Sequence, residues 1–458
     1  MTPRSLPPIV ALALSSAITS LDFTIIYLAI PHIQTALHAS VGDTQWVAAA
    51  YAVAYGGFLL LGGRLADAYG ARRCFTMGLC LFGLSSVAGG LAPSLPVLIT
   101  GRVGQGLGAA ILFPATLAML HQHYTRTAAK QRAVSVWAAA GSGGLIAGTV
   151  LGGLLTQLTS WRAVMLVNIP LVLATLLAAR RAVAGPVGPA SPRDAARHGI
   201  SASSWVGSAA AAIVTASACL LMLRAGSWGL GSQTWAVLVT AATAACAARA
   251  LAARTGFNLV PARVVAVPDV LAATIRGTVF MGAFGTVYYL LSLDLQTIRG
   301  ISPLLAGAAL IPGSVGGIFG SALANRLLHD HSPRSVSRAA MIAGGVGLAG
   351  VAAAVTAPLP VLLLALMIAS VAQGVAYTSI FALAGSGVAP ADQGVATGLA
   401  GTGQQVGSAV GLAVAALCVQ ATATTSAPQL GVVLTLAIGA AFLLLSGVAG
   451  RCGRRLLR

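Results

Sequence analysis

The sequence predicts an all-α membrane protein of two six-helix bundles with two further transmembrane helices between them, and three observations predict it. Charge is scarce: 7% of the 458 residues are charged against 57% hydrophobic, where a soluble domain carries about 25% charged residues. Apolar runs of the length a helix needs to cross a bilayer, about 20 residues, recur along the whole chain. Basic residues gather in alternate connections between those runs, as they do in cytoplasmic loops. The net charge of +18 therefore reads as membrane topology, and nucleic acid is excluded as a partner in favour of the lipid bilayer.

Fourteen runs can be drawn: 9–33, 45–63, 74–93, 97–120, 133–156, 162–179, 204–224, 233–252, 269–292, 303–325, 339–357, 359–384, 395–420 and 429–449. We call them spans 1 to 14. Span 1 is long for a signal-peptide core and has no A-x-A exit, so it reads as an uncleaved first helix. With the N-terminus in the cytoplasm, 21 of the 26 basic residues fall on the inner side; the other five are Arg102, Arg162, Arg224, Arg276 and Arg299. That bias implies an even number of spans with both termini cytoplasmic, which places the chain in the cell membrane.

An internal repeat organises the spans. Leu65-Ala66-Asp67 after span 2 matches Leu323-Ala324-Asn325 after span 10, an offset of 258 residues that also lays span 9 on span 1. The expected divisions are residues 1–180 for the first bundle, 181–266 for a cytoplasmic loop and two inserted helices, and 267–458 for the second bundle. Repeated bundles around a midplane site are the architecture of many secondary transporters.

Buried charge is the main functional signal. All eight acids are aspartates, and Asp22 lies deep in span 1. An acid there costs about 2.5–3.5 kcal/mol on insertion scales, so it faces the bundle interior. Thr19, Asp22 and Ile26 share a helix face with Phe23 beside them, an apolar and aromatic wall that suits a lipophilic substrate. Asp22 is either a proton-exchanging group or an acid bonded to Thr19 or Thr24. Arg102, five residues into span 4, is the second buried charge. Asp22 is one candidate acceptor for it; the other reading is snorkelling to the outer interface. Burial penalises a charged carboxylate and a guanidinium partner stabilises it, and the sequence leaves that choice open. Gln105 lies one helical turn on from Arg102. In the second half, Arg276 lies within span 9, Asp294 has Arg299 as a nearby partner, and Tyr288 and Tyr289 either line the path or belong to an interfacial aromatic belt.

Other patterns carry less. Gly144, Gly148 and Gly152 line one face of span 5 and allow a partner backbone to come close. The glycines of 62–73 permit a sharp inner turn, within which Asp67 can pair with Arg72, Arg73 or a helix end. "GQGLG" (104–108) and "GTGQQVG" (401–407) lack the spacing and strand context of nucleotide loops, and the only lysine, Lys130, sits in no phosphate loop. "HQH" (121–123) and "HDH" (329–331) have no further ligands near them, so no metal site is expected. The six cysteines are scattered and read as core residues. No enzymatic constellation is present, and no cofactor is implied beyond a proton as coupling ion.

Taken in order, the motifs resemble those of the 14-span drug:proton antiporters of the major facilitator superfamily. "LDFTIIYLAIP" (21–31) resembles the family's first-span motif, with Tyr27 in place of its asparagine. "GGRLADAYGARR" (62–73) resembles the superfamily's loop motif, and "LITGRVGQGLGAA" (98–110) its fourth-span R-x-x-Q-G motif. "GLIAGTVLGG" (144–153) resembles the antiporter motif, with Thr149 where the family has proline. "SWRAVMLVNIPL" (160–171), "GISPLLAGAALIPG" (300–313) and "GVATGLAGTGQQVGSAVGLAV" (394–414) resemble further family signatures. The resemblance implies the major facilitator fold, working as a monomer by alternating access to export drugs, antibiotics or a self-made metabolite against protons. It implies proton coupling at Asp22 and Arg102. It implies a gating loop of Gly63, Arg64, Asp67, Gly70, Arg72 and Arg73, and an inter-bundle antiporter contact at Gly144, Gly148, Thr149, Gly152 and Gly153. A substrate cavity would take Phe23, Ile26, Gln105, Tyr288 and Tyr289. A proton-coupled uptake permease for a small organic solute on the same fold is the competing expectation.

Overall fold

A computed structural model describes residues 8–124, 127–182, 206–210, 212–214, 216–217, 221, 232–255, 261–389, 392–422 and 429–449. Among these, regular structure is entirely helical. Among the described residues eleven helical stretches are long and apolar enough to cross a membrane: spans 1, 2, 4, 5 and 6 in the first half and spans 9 to 14 in the second. Span 3 is the helix Ala71–Gly90, which carries Arg72 and Arg73 at its exposed start. Span 8 is the helix Ser232–Thr255. Ten of the 21 residues of span 7 (204–224), residues 183–203 and the C-terminal arginines Arg451, Arg454, Arg455 and Arg458 lie outside the described residues, as does Arg4.

Most spans are single helices: Pro8–Ala36, Trp46–Tyr69, Leu95–His123, Thr127–Leu158, Pro333–Ala354, Leu359–Gly385, Gln393–Thr422 and Leu430–Ala449. Three are interrupted. Span 6 runs Trp161–Leu166 and Asn168–Ala182, and span 10 runs Pro303–Ala309 and Ile311–Asp330. Pro170 and Pro312 cause these breaks, because neither can donate to the carbonyl four residues earlier. Span 9 runs Pro268–Phe284 and Val287–Leu293 and ends in a π-helical turn, Asp294–Ile298.

Within the first half, span 1 packs along span 5, and span 4 packs against spans 2 and 3. In the second half span 9 packs along span 13, and span 12 against spans 10 and 11. The halves meet where span 2 faces span 13 and where span 5 faces span 10. Ala212 and Ala216 of the insert pack on a small cluster from spans 2 and 13: Ala52, Val53, Ala409, Ala413 and Ala416. The insert therefore covers one seam between the halves. Large apolar side chains such as Leu84, Phe319 and Leu445 are exposed on the outside, where lipid chains replace water as solvent.

Candidate functional site

The site forms around Asp22 in the first half. Span 1 reaches it by lying against span 5: a Cβ on Gly148 would stand 2.5 Å from the Leu21 carbonyl oxygen, so the two backbones touch there. Span 4 is drawn in the same way onto span 2, with the Gly106 position 2.5 Å from the Tyr51 carbonyl oxygen. A side chain at Gly148 would push span 5 from span 1, and one at Gly106 would push span 4 from span 2.

Arg102 donates through Nη1 to Asp22 Oδ2 at 2.6 Å, with 1% and 0% of the two side chains exposed. The acid and base that the sequence offers as separate buried charges are thus one ion pair. The snorkelling reading of Arg102 is corrected: span 4 turns that face toward span 1. Arg102 also donates to the Val47 carbonyl at 2.7 Å and to Gln105 Oε1 at 2.8 Å, and its guanidinium lies 4.6 Å from the centre of the Tyr51 ring. Gln105 completes the link by donating to Asp22 Oδ1 at 3.2 Å and to Ser86 at 2.7 Å. Every group here is buried, so the pair acts in a low dielectric.

Asn168 is a partner that the sequence reading does not single out. Its amide donates to Asp22 Oδ1 at 2.8 Å, and the residue is fully buried. Its signal in the sequence is "VNIP" (167–170), an amide in an apolar run two residues before a helix-breaking proline. Thr19 and Thr24 do not bond Asp22. Thr19 donates to the Ser15 and Ser16 carbonyls, and Thr24 to those of Leu21 and Leu145.

The remaining candidates divide. Ile26 is buried and Phe23 half-buried, and Phe23 meets Tyr27 edge to face at 5.6 Å. Tyr288 bonds Ser314 at 3.1 Å and is buried, as is Tyr289. Both tyrosines lie inside the protein and not in an interfacial belt. Gly144, Gly148 and Gly152 lie against span 1 of their own half, at Ala17, Leu21 and Ile25. Of the five positions expected to make an inter-bundle contact, Thr149 and Gly153 do so, against Gly307 and Pro303, and the three glycines of the stripe do not. Helical spacing names a common face but not the helix it meets. The turn expected of the glycines in 62–73 is made at Gly70 alone, with φ 88°, while Gly62 and Gly63 continue the helix Trp46–Tyr69; glycine adopts the Gly70 conformation without strain. Gly63 and Arg64 are half-buried and Arg72 and Arg73 exposed; the Asp67 side chain lies outside the described residues.

Two further charges are accounted for. Arg276 is buried and bonds Ser337 at 2.6 Å and the Arg334 carbonyl at 3.3 Å. Asp294, fully buried, accepts from Arg299 at 2.7 Å and from Gln429 at 2.8 Å.

The sequence profile described as Major Facilitator Superfamily matches residues 12–412, with a second match at 273–455. The puromycin resistance protein pur8 of Streptomyces alboniger is 33% identical over 90% of this chain and 81% of its own. The cephamycin export protein CmcT of Amycolatopsis lactamdurans is 33% identical over 89% and 83%. The lincomycin resistance protein of Streptomyces lincolnensis is 32% identical over 89% and 82%. Among solved structures, a POT family peptide transporter superposes with a TM-score of 0.68 at 17% identity, covering 99% of this chain and 97% of its own. A D-xylose-proton symporter superposes at 0.65 and 14% identity, covering 95% and 96%. These two carry the fold alone.

Proposed function

Since the chain belongs to the major facilitator superfamily, and is therefore a multi-pass membrane transporter and not an enzyme, we propose that it is a proton-coupled exporter. Its cargo in this reading is a lipophilic drug, an antibiotic or a self-made metabolite. It works by alternating access in the cell membrane, as a monomer with both termini in the cytoplasm. The relatives named for antibiotic resistance and export support the direction.

The carrying observation is the buried centre of Asp22, Arg102, Gln105 and Asn168. Removing one partner of a buried ion pair strands the other charge at a cost of about 3–5 kcal/mol. Here protonation of Asp22 leaves Arg102 with the Val47 carbonyl, Gln105 Oε1 and the Tyr51 face. The arginine keeps two neutral oxygen acceptors and a ring face when the carboxylate is protonated, so in this reading Asp22 can change charge without stranding it. A proton and the outgoing substrate favour opposite states of Asp22, and inward proton flow drives the substrate out.

The test uses inverted vesicles with an imposed pH gradient, with ethidium or an antibiotic as cargo. Wild type moves cargo in the export direction and dissipates the gradient. Asp22→Asn inserts normally and does neither. Gradient-dependent export by that variant at the wild-type rate sinks the proton reading, and cargo moving with the protons instead of against them supports an uptake permease.

A further inference from the structure

We propose that Ser292 and Gln296 are gate residues, forming a latch that holds the two halves together at the end of the molecule remote from the N-terminus. The inference rests on the alternating-access reading, which requires that end to open and close.

The latch starts from a proline. Pro31 lies within the helix of span 1 and has no N–H, so the Tyr27 carbonyl four residues earlier loses its helical donor. An orphaned carbonyl inside a membrane protein needs a donor from elsewhere. It is supplied from the other half: Ser292 donates to Tyr27 O at 2.8 Å. Gln296, one turn on, donates to Ser292 Oγ at 2.8 Å and to the next carbonyl, Leu28 O, at 3.2 Å. Two side chains of span 9 thus read the backbone of span 1 at the place where its own ladder is broken.

The contact lies on the axis of the repeat. The Tyr27 hydroxyl donates to the Gly285 carbonyl at 3.4 Å, and these residues are 258 apart, the offset that superposes the two halves in sequence. Equivalent positions touch each other only near the axis relating them. Gly285 lies at the break in span 9, Ser292 in its second helix and Gln296 in its π turn, and the three present one face to span 1 because each bonds it. The face is held rigid by its own half, because Asp294 at the start of the π turn is bound to Arg299 and Gln429. At the same end, Leu304 N–H donates to Gln157 Oε1 at 3.1 Å across the seam between spans 5 and 10. Hydrogen bonds between membrane helices are individually weak, which suits a contact that breaks in every cycle.

The experiment places spin labels at Thr35 in the first half and Thr356 in the second, both exposed at that end. They are introduced after replacing Cys74, Cys80, Cys219, Cys246, Cys418 and Cys452, and distances are read by double electron–electron resonance in nanodiscs. Ser292→Ala and Gln296→Leu should each raise the ratio of long to short distances roughly threefold. Pro31→Ala returns an N–H to the Tyr27 carbonyl, so it should raise the same ratio and shrink the further effect of Ser292→Ala. Unchanged distances in the folded Ser292→Ala/Gln296→Leu double variant overturn the latch. Strict additivity of Pro31→Ala with Ser292→Ala overturns the role of the freed carbonyl. Because distances are read without transport, loss of the latch and loss of proton coupling at Asp22 are separable results.

Discussion

Among the described residues two fully buried aspartates are each paired with an arginine, and the two pairs are set in different surroundings. Asp22 and Arg102 are 80 residues apart in sequence and both sealed inside the first half; Gln105 bridges them and Asn168 donates to Asp22 alone. Asp294 and Arg299 are five residues apart at the far end of span 9, and Arg299 keeps 18% of its side chain exposed. Arg299 then reaches the carbonyls of Val355 and Ala357, and Gln429 joins Asp294 to the same Val355 carbonyl. The second pair therefore ties span 9, the connection between spans 11 and 12, and the start of span 14. Beyond each other, the second pair's partners are two backbone carbonyls and the Gln429 side chain, and those of the first pair are the Gln105 and Asn168 side chains and one backbone carbonyl, that of Val47. In the proposed coupling reading, the two side-chain amides on Asp22 can reorient, whereas the second pair braces three segments of its own half. Residue types alone do not separate these two arrangements; what the surrounding groups are attached to does.

The largest expected effect opposes the two acids directly. Asp22→Asn should remove proton-linked export and leave the folded protein nearly as stable, because the new amide can still accept from Arg102 while Gln105 and Asn168 reorient. Asp294→Asn should do the reverse. It loses a charge-assisted contact costing about 2–3 kcal/mol, read as a shorter half-life on heating in detergent, while export per folded molecule stays near wild type. Equal stability of the two variants would dissolve the distinction between coupling pair and brace.

The next effect compares the neutral donors. Asn168→Leu removes one amide from Asp22, and Gln429→Leu removes one from Asp294. A hydrogen bond to a charged group contributes about 1.5–3 kcal/mol, so Asn168→Leu should slow export at least tenfold in the vesicle assay. Gln429→Leu should lower thermal stability by a similar energy and leave the export rate of the surviving protein unchanged. An Asn168→Leu variant that exports normally would remove Asn168 from the coupling centre.

Much of the first pair was legible in the sequence, and the reasons are physical. An acid in the middle of an apolar helix has to face inward, and an arginine with the same problem is its natural partner. The fold was legible because fourteen apolar runs and an arginine bias leave few arrangements. Tertiary partners were not. The stripe Gly144, Gly148, Gly152 announces a close contact, yet nothing in its spacing distinguishes span 1 from the opposite bundle. Asn168 was hidden because an amide in an apolar run carries no charge to draw notice. The latch was hidden because its acceptors are backbone carbonyls, readable only by asking which carbonyl Pro31 leaves without a donor.

The smallest effect belongs to a surface pair that resembles the buried two only in composition. Arg263 donates through Nε and Nη2 to both oxygens of Asp392 at 3.0 and 2.9 Å, with 72% of the arginine side chain exposed. These hydrogen bonds hold the Asp392 carboxyl below its ordinary range. A carboxylate whose value is lowered on folding adds stability above its unfolded value, near 3.9, and loses it as pH falls through the lower folded one. The thermal stability gap between wild type and Arg263→Gln should therefore be small and constant from pH 5 to pH 8 on that sign, and close as the medium becomes more acidic than about pH 4. High salt should narrow it as well, since exposed charges are screened. A gap as large as that of Asp294→Asn, or one that widens in acid, would mean that the connection between spans 12 and 13 is clamped to the entry of span 9 as firmly as the outer brace clamps its exit.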